Sequence, residues 1–250
     1  MKLLTFNNAK TVKGNKVGWR TAIMYLAPSD ASGVVNTCKF ATRQCRRLCL
    51  YNSGHSLVFK SINQARIKRT KFWHEEREKF IEQLKREIKN HIATSQKHRL
   101  KPCVRLNGTS DIFDKHFTSV IDTFHETQFY DYTKDYRRME SFMHQKRRRN
   151  GFPERYHLTF SHSEGRLDNS LSVLQQGYNV AVVFACKREE ELPLTWKGYK
   201  VLDGDINDLR FLDPHTDHKG KGFVIGLRSK GHATKAESKL GAFINPNQNT

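Results

Sequence analysis

A chain of 250 residues with 44 Lys and Arg against 25 Asp and Glu carries a formal net charge of +19 at pH 7, a balance that calls for a polyanionic partner or substrate, with nucleic acid or a nucleotide the natural choice. No apolar run approaches the roughly 18 residues of a membrane span, no signal peptide opens the chain, and five cysteines are an odd number; together these exclude a membrane-spanning helix and a fully paired disulfide scaffold. The expected setting is a reducing cytoplasm, with one large core over residues 1–241 and an untethered tail at 242–250.

In chain order, a first strand-like segment, Thr21 to Ala27, runs into a loop holding Cys38, Cys45 and Cys49. Three thiols within 12 residues can close on one centre, because thiolates bind soft metals strongly. The neighbouring Lys39, Arg43, Arg46 and Arg47 make the loop too polar for core and electropositive enough to favour thiolate. A long helical pattern follows over Ser56 to Ile92, with apolar residues at Phe80 or Ile81, Leu84, Ile88 and Ile92. Basic residues recur on it at Lys60, Arg66, Lys68, Arg69 and Lys71, and again in the run Lys146, Arg147, Arg148 and Arg149. With Tyr51, Phe59, Phe72, Trp73 and Phe142 nearby, they suit a groove that tracks phosphates and stacks bases. Arg43, Arg46, Arg47 and Lys146 to Arg149 are the candidate nucleic-acid contacts.

Beyond this helix, apolar or β-branched runs recur at the spacing of a βα unit: Cys103 to Leu106, Gln128 to Tyr130, His157 to Phe160, Val180 to Phe184, Tyr199 to Leu202 and Phe223 to Leu227. Helical patterns fill most gaps, at Phe113 to His125, at Tyr136 to Arg148, and at Asp168 to Gln176, which opens on a capping Asp and stops at Gly177. The pattern predicts an α/β fold whose parallel sheet forms a (β/α) barrel, partial, of about six to seven strands.

Polar clusters close nearly every run: Asn107-Gly108-Thr109-Ser110-Asp111, Asp131-Tyr132-Thr133-Lys134, Ser161-His162-Ser163-Glu164, Asp203-Gly204-Asp205 and Arg228-Ser229-Lys230-Gly231. In parallel α/β folds the carboxyl ends of the strands converge on the ligand-binding face, so these clusters and the cysteine loop are expected around one cavity. Asp111, Asp131, Glu164 and Asp203 are the catalytic candidates, and Asn107, Gly108, Thr109, Ser161 and Arg228 the cofactor-binding ones. His157 and Cys103 read as core, while Cys186, at the end of its strand, is a candidate fourth metal ligand.

A cysteine triad after the first strand and a Gly-containing turn after the second resemble the layout of radical S-adenosylmethionine enzymes. That resemblance implies that Cys38, Cys45 and Cys49 bind a 4Fe-4S cluster whose fourth iron chelates S-adenosylmethionine, with Asn107-Gly108-Thr109 at the cofactor's amino group. The cysteines are separated by six and then three residues, against three and then two in the usual pattern. A longer resemblance, to the gene-product-88 family of phages and plasmids, is carried by Gly18-Trp19, Tyr25-Leu26-Ala27-Pro28, Arg105 to Asp111, Phe129 to Lys134, Tyr156 to Ser161 and Asp203 to Asp213. It implies a mobile-element origin and the cytoplasm of a bacterial host.

Three functions stay open. One is an iron-sulfur enzyme of radical S-adenosylmethionine type acting on nucleic acid or a nucleotide. Another is a non-catalytic nucleic-acid-binding protein in which the three cysteines and His55 hold a structural zinc. The third is a metal-dependent nuclease or hydrolase using Asp203, Asp205 and Asp208 or Asp111.

Overall fold

The computed structural model describes residues 1–6, 9–52, 55–146 and 155–229, with the side chains of 9, 10, 52, 55, 57, 145 and 146 left aside. The chain runs β1 (Leu4–Thr5), α1 (Ala9–Asn15), β2 (Trp19–Met24), α2 (Arg43–Arg47), α3 (His55–Val58), α4 (Lys60–Glu75), α5 (Arg77–Lys97), β3 (Lys101–Arg105), α6 (Lys115–Thr123), β4 (Gln128–Thr133), α7 (Tyr136–Lys146), β5 (Tyr156–Ser161), α8 (Leu167–Gln175), β6 (Val180–Phe184), β7 (Thr195–Trp196), β8 (Tyr199–Asp203) and β9 (Val224–Arg228). All seven predicted runs fall on strands.

These strands make one sheet in the order β1-β2-β3-β4-β5-β6-β9-β8-β7. Every pair from β2 to β8 is parallel, and the two outermost pairs are antiparallel. The sheet is open, so the mostly parallel α/β sheet expected is present while the partial barrel expected is not established. Its edges are capped by short strands: β1 pairs with the outer side of β2 through Leu4↔Met24 and Thr5↔Ile23, and β7 with the outer side of β8 through Trp196↔Tyr199. These short strands occupy two residues of each outer edge, so β2 and β8 do not pair with each other.

Because β2 to β6 lie in sequence order, right-handed crossovers put all their helices on one face. One core results there: Trp73 of α4, Leu84 and Ile88 of α5, Phe117 of α6, Met139 of α7 and Val173 of α8 pack on Met24, Val104, Phe129, Leu158 and Val182. The pleat sends alternate strand residues to the other face, where Cys103 and Tyr130 meet Leu209 and, partly buried, Trp19 and Phe211. Ala181, Phe223 and Ile225 continue that face.

The predicted single helix over 56–92 is broken. At Glu76 the backbone leaves helical geometry (φ −127°, ψ 55°), and Arg77 Nε takes the carbonyl of Trp73 at 2.6 Å while its guanidinium lies 3.7 Å from the Trp73 ring. A side chain thus replaces the backbone donor that a continuous helix would supply. α8 opens at Arg166, not at a capping Asp168, and stops at Gly177, whose φ of +82° is left-handed.

Candidate functional site

The carboxyl end of β2 leads to the first cysteine. Thr37 is buried there, its Oγ1 donating to Ala27 O at 2.6 Å and its amide to Ser29 O at 3.1 Å, and Cys38 N donates to Asn36 Oδ1 at 2.8 Å. Thr42 then caps α2, its Oγ1 accepting from Cys45 N at 3.3 Å, which sets Cys45 on the helix and Cys49 just beyond it. Two contacts staple this segment to the end of β5. Gln44 N donates to Glu164 Oε1 at 2.9 Å, and Arg166 Nη2 donates to Phe40 O at 3.3 Å.

The β3 turn is fixed more heavily. Asn107 N and Nδ2 donate to the two oxygens of buried Asp131 at 2.8 and 3.1 Å; Nδ2 also reaches Ile112 O, and Oδ1 accepts from Ser110 Oγ and Ile112 N. Thr109 Oγ1 donates to Leu26 O at 2.6 Å, Gly108 N to Met24 O at 2.9 Å and Asp111 N to Thr37 O at 2.8 Å, so the turn is docked on the exit of β2. The Cys38 thiol donates to Thr109 O at 3.6 Å. Behind the turn, Arg138 Nη1 donates to Asp111 Oδ1 at 3.0 Å and Nη2 to the Tyr156 hydroxyl, beside Asp131.

These pieces surround one cavity of about 280 Å³, lined by Cys38, Cys45 and Cys49, residues 107–111, 132–134 and 161–164, with Arg105, Val183, Asp208 and Leu227 completing the wall. Of the predicted site residues, Asn107, Gly108, Thr109, Asp111, Ser161 and Glu164 lie on it with all three cysteines. Asp131 sits behind it, bonded to Asn107. Asp203 and Arg228 lie elsewhere: Arg228 Nη1 pairs with Asp203 at 2.9 Å and Asp205 at 3.5 Å, and neither lines the cavity. Asp208 pairs with Arg105 at 3.0 Å, so the acids of the 203–208 segment are each matched to an arginine.

Burial pushes the Cys38 thiol up to about 11, and raises Cys45 and Cys49 as well. The expectation that basic neighbours favour thiolate is therefore corrected for the metal-free protein, because Arg43, Arg46 and Arg47 are exposed while the thiols are largely desolvated. The donor set is soft and shares one cavity, which suits iron or zinc in kind. In distance it falls short: among the described residues no three His, Cys, Asp or Glu side chains come close enough to hold a metal ion. The His55 side chain lies outside the described residues, and Cys186 is buried away from the cavity, its thiol donating to Glu191 O at 3.6 Å.

The nucleic-acid candidates divide. Arg43, Arg46 and Arg47 are exposed on α2, whereas the Lys146 side chain and Arg147 to Arg149 lie outside the described residues. Trp73 and Phe142 are core residues, and Phe72 packs against that core, which corrects their expected role in base stacking. Arg66 is buried too, its guanidinium 5.2 Å from the Tyr25 ring and 5.5 Å from the Tyr51 ring.

Sequence reading missed Arg105 on the cavity, and placed Lys134 and Ser163 in strand-end clusters without giving either a role. The period of two along β3 was the usable signal, since it puts Arg105 on the same face as Cys103. Lys134 Nζ donates to Ser161 Oγ at 2.8 Å, to His162 O at 3.0 Å and to Ser161 O at 3.4 Å, joining the ends of β4 and β5.

Fold and site together define an open, singly wound α/β protein that gathers three thiols and the polar ends of its parallel strands around one cavity. The sequence profile of the gene product 88 family matches residues 2–244, and the chain belongs to that family. No curated protein and no solved structure matches it.

Proposed function

We propose that the protein is a phage- or plasmid-encoded iron-sulfur protein acting on a nucleotide or nucleic acid, with Cys38, Cys45 and Cys49 as the cluster ligands and the strand-end cavity as the working site. In this reading the seven parallel strands form an incomplete barrel wall. The observation that carries it is that all three thiols line the cavity made by the ends of β3, β4 and β5. Three cysteines leave a further metal position for a ligand in that cavity, and iron-sulfur chemistry there would be supplied by the cluster. Drawing the thiols together requires α2 to shift, and this five-residue helix holds no fully buried residue.

Protein purified without oxygen is expected to be brown, with broad absorbance at roughly 400 nm from sulfur-to-iron charge transfer. Cys38→Ala, Cys45→Ala and Cys49→Ala should each lose iron, and Cys103→Ala, on the far side of the sheet from the helices, should not. A colourless preparation with stoichiometric zinc would replace the cluster with a structural zinc site and the enzyme with a binding protein. Equal metal content in all four variants would end the assignment.

A further inference from the structure

The cavity is unevenly supplied with hydrogen-bond partners. Most of its carboxylate oxygens are turned onto internal donors: Asp111 accepts from Arg138 Nη1 at 3.0 Å, Lys134 N at 2.7 Å and Thr133 Oγ1 at 3.2 Å, Asp208 from Arg105 Nη1 at 3.0 Å, and Glu164 Oε1 from Gln44 N, while Glu164 Oε2 takes no donor among the described residues. Donors are left over. Arg105 is held by Asp208, by Asn107 O at 3.2 Å from Nε, and by the Tyr132 ring 4.5 Å from Cζ, yet its Nη2 donates to nothing among the described residues. Ser163 is only 7% exposed, and its hydroxyl has no hydrogen-bond partner among the described residues. The amides of Thr109 and Ser110, both buried residues, likewise find no acceptor there.

Buried donors without partners are rare in folded proteins, so the enclosed Ser163 hydroxyl, beside the open donors of Arg105, Thr109 and Ser110, marks where a ligand supplies the acceptors. We propose that this cavity takes a small phosphate monoester, its phosphate held by Arg105, Ser163 and the amides of Thr109 and Ser110. Nη2, the hydroxyl and the two amides offer about five N–H and O–H groups, more than the roughly four acceptor sites of a carboxylate, whereas a phosphate brings three strong acceptor oxygens. With Nε and Nη1 engaged, the guanidinium is held in place to offer Nη2 as a charge-assisted donor to a phosphate oxygen, and the Lys134 ammonium adds a second cation on the wall. Leu48, Val183 and Leu227 give the rest of the molecule an apolar surface, and about 280 Å³ suits a mononucleotide, not a strand. The inference rests on the cavity as the working site, as the proposed function does, but not on the metal.

The test is isothermal titration of the full-length protein with AMP, adenosine, inorganic phosphate and acetate. AMP should bind at least about tenfold more tightly than adenosine, inorganic phosphate should compete with AMP, and acetate should not. Ser163→Ala removes a hydroxyl that no group among the described residues uses, so it should weaken AMP by about tenfold and leave the melting temperature unchanged. Arg105→Lys keeps the charge and loses the fork, and should weaken AMP by at least as much. Equal binding of AMP and adenosine, competition by acetate as strong as by phosphate, or AMP binding to Ser163→Ala at wild-type affinity would each overturn the proposal. Metal content is read on the same samples. Phosphate-dependent binding without iron or zinc keeps this inference and removes the cluster, and bound metal with no preference for phosphate does the reverse.

Discussion

Asn107 shows how a residue type suited to ligand contact is spent on architecture. Both its amide hydrogens and both lone pairs of its side-chain oxygen are used inside the protein, on Asp131, Ile112 and Ser110. Asn107→Ala strips partners from buried groups on all three, so it should destabilise by about 2–4 kcal/mol, read as a lower urea midpoint; a loss below about 0.5 kcal/mol would show that the turn stands without it. His91 carries a sharper constraint. Arg20 Nη1 lies 3.1 Å from its Nδ1 and can only donate, so Nδ1 accepts and Nε2–H donates to Cys103 O at 3.2 Å, which is the neutral ring. Burial, and then the Arg20 charge, pull its pKa from 6.5 down to about 4. The unfolded chain therefore binds a proton that the folded one refuses between these values, so the contribution is complete above pH 6.5 and lost as pH falls through 4, roughly 3 kcal/mol in all. Urea midpoints measured across that range should fall with pH in the wild type and fall less in His91→Gln, which retains a donor and an acceptor. Parallel slopes in the two proteins would assign the acid sensitivity elsewhere.

At the level of elements, the turn after β3 works because glycine occupies its closest approach to β2. A Cβ on Gly108 would stand 2.6 Å from the Tyr25 ring and 2.7 Å from Met24 O, and the second of these is backbone that cannot rotate away. Gly108→Ala should cost about 2–3 kcal/mol and open the seam between the β2 and β3 exits, where Cys38 and Thr109 meet; unchanged thermal stability would mean the two exits move freely. The same elements measure how far sequence reading reached. Seven strand runs, α6, α7 and α8 were legible because each carries several residues of one period, and the cavity was legible because parallel strands must point their carboxyl ends one way. The two-residue β1 and β7 that edge the open sheet carry no period and could not be read. The break at Glu76 was hidden for another reason, since Arg77 resolves it with a side-chain bond to Trp73 O inside an otherwise unbroken apolar stripe. Asp203 and Arg228 looked like site residues because strand ends attract polar residues whether or not a ligand binds, and here they pair with each other.

Across the whole molecule the charge of +19 is not one property. Arg66, Arg138 and Arg210 are buried and Arg105 nearly so, each held by aromatic rings or carboxylates, and they belong to the fold. Arg43, Arg46, Arg47, Lys60, Lys68 and Lys71 are exposed and belong to whatever the surface meets. With Trp73 and Phe142 locked in the core and Phe72 packed against it, only exposed Phe59 and half-buried Tyr51 remain of the rings expected to stack on bases, so the attraction for DNA or RNA should be mainly electrostatic and nearly indifferent to sequence. Fluorescence anisotropy with two unrelated short duplexes should give equal affinities that fall steeply with salt. Replacing Arg43, Arg46 and Arg47 together with Glu should flatten the plot of log affinity against log salt by roughly 0.9 for each phosphate that is no longer neutralised. AMP in the cavity should respond differently, because Arg105 is shielded from mobile ions that screen exposed charges over about 10 Å at 0.1 M salt. A duplex affinity independent of salt, or a triple variant with the wild-type slope, would remove α2 as a polyanion-binding surface and leave the cavity as the place where the protein's positive charge meets phosphate.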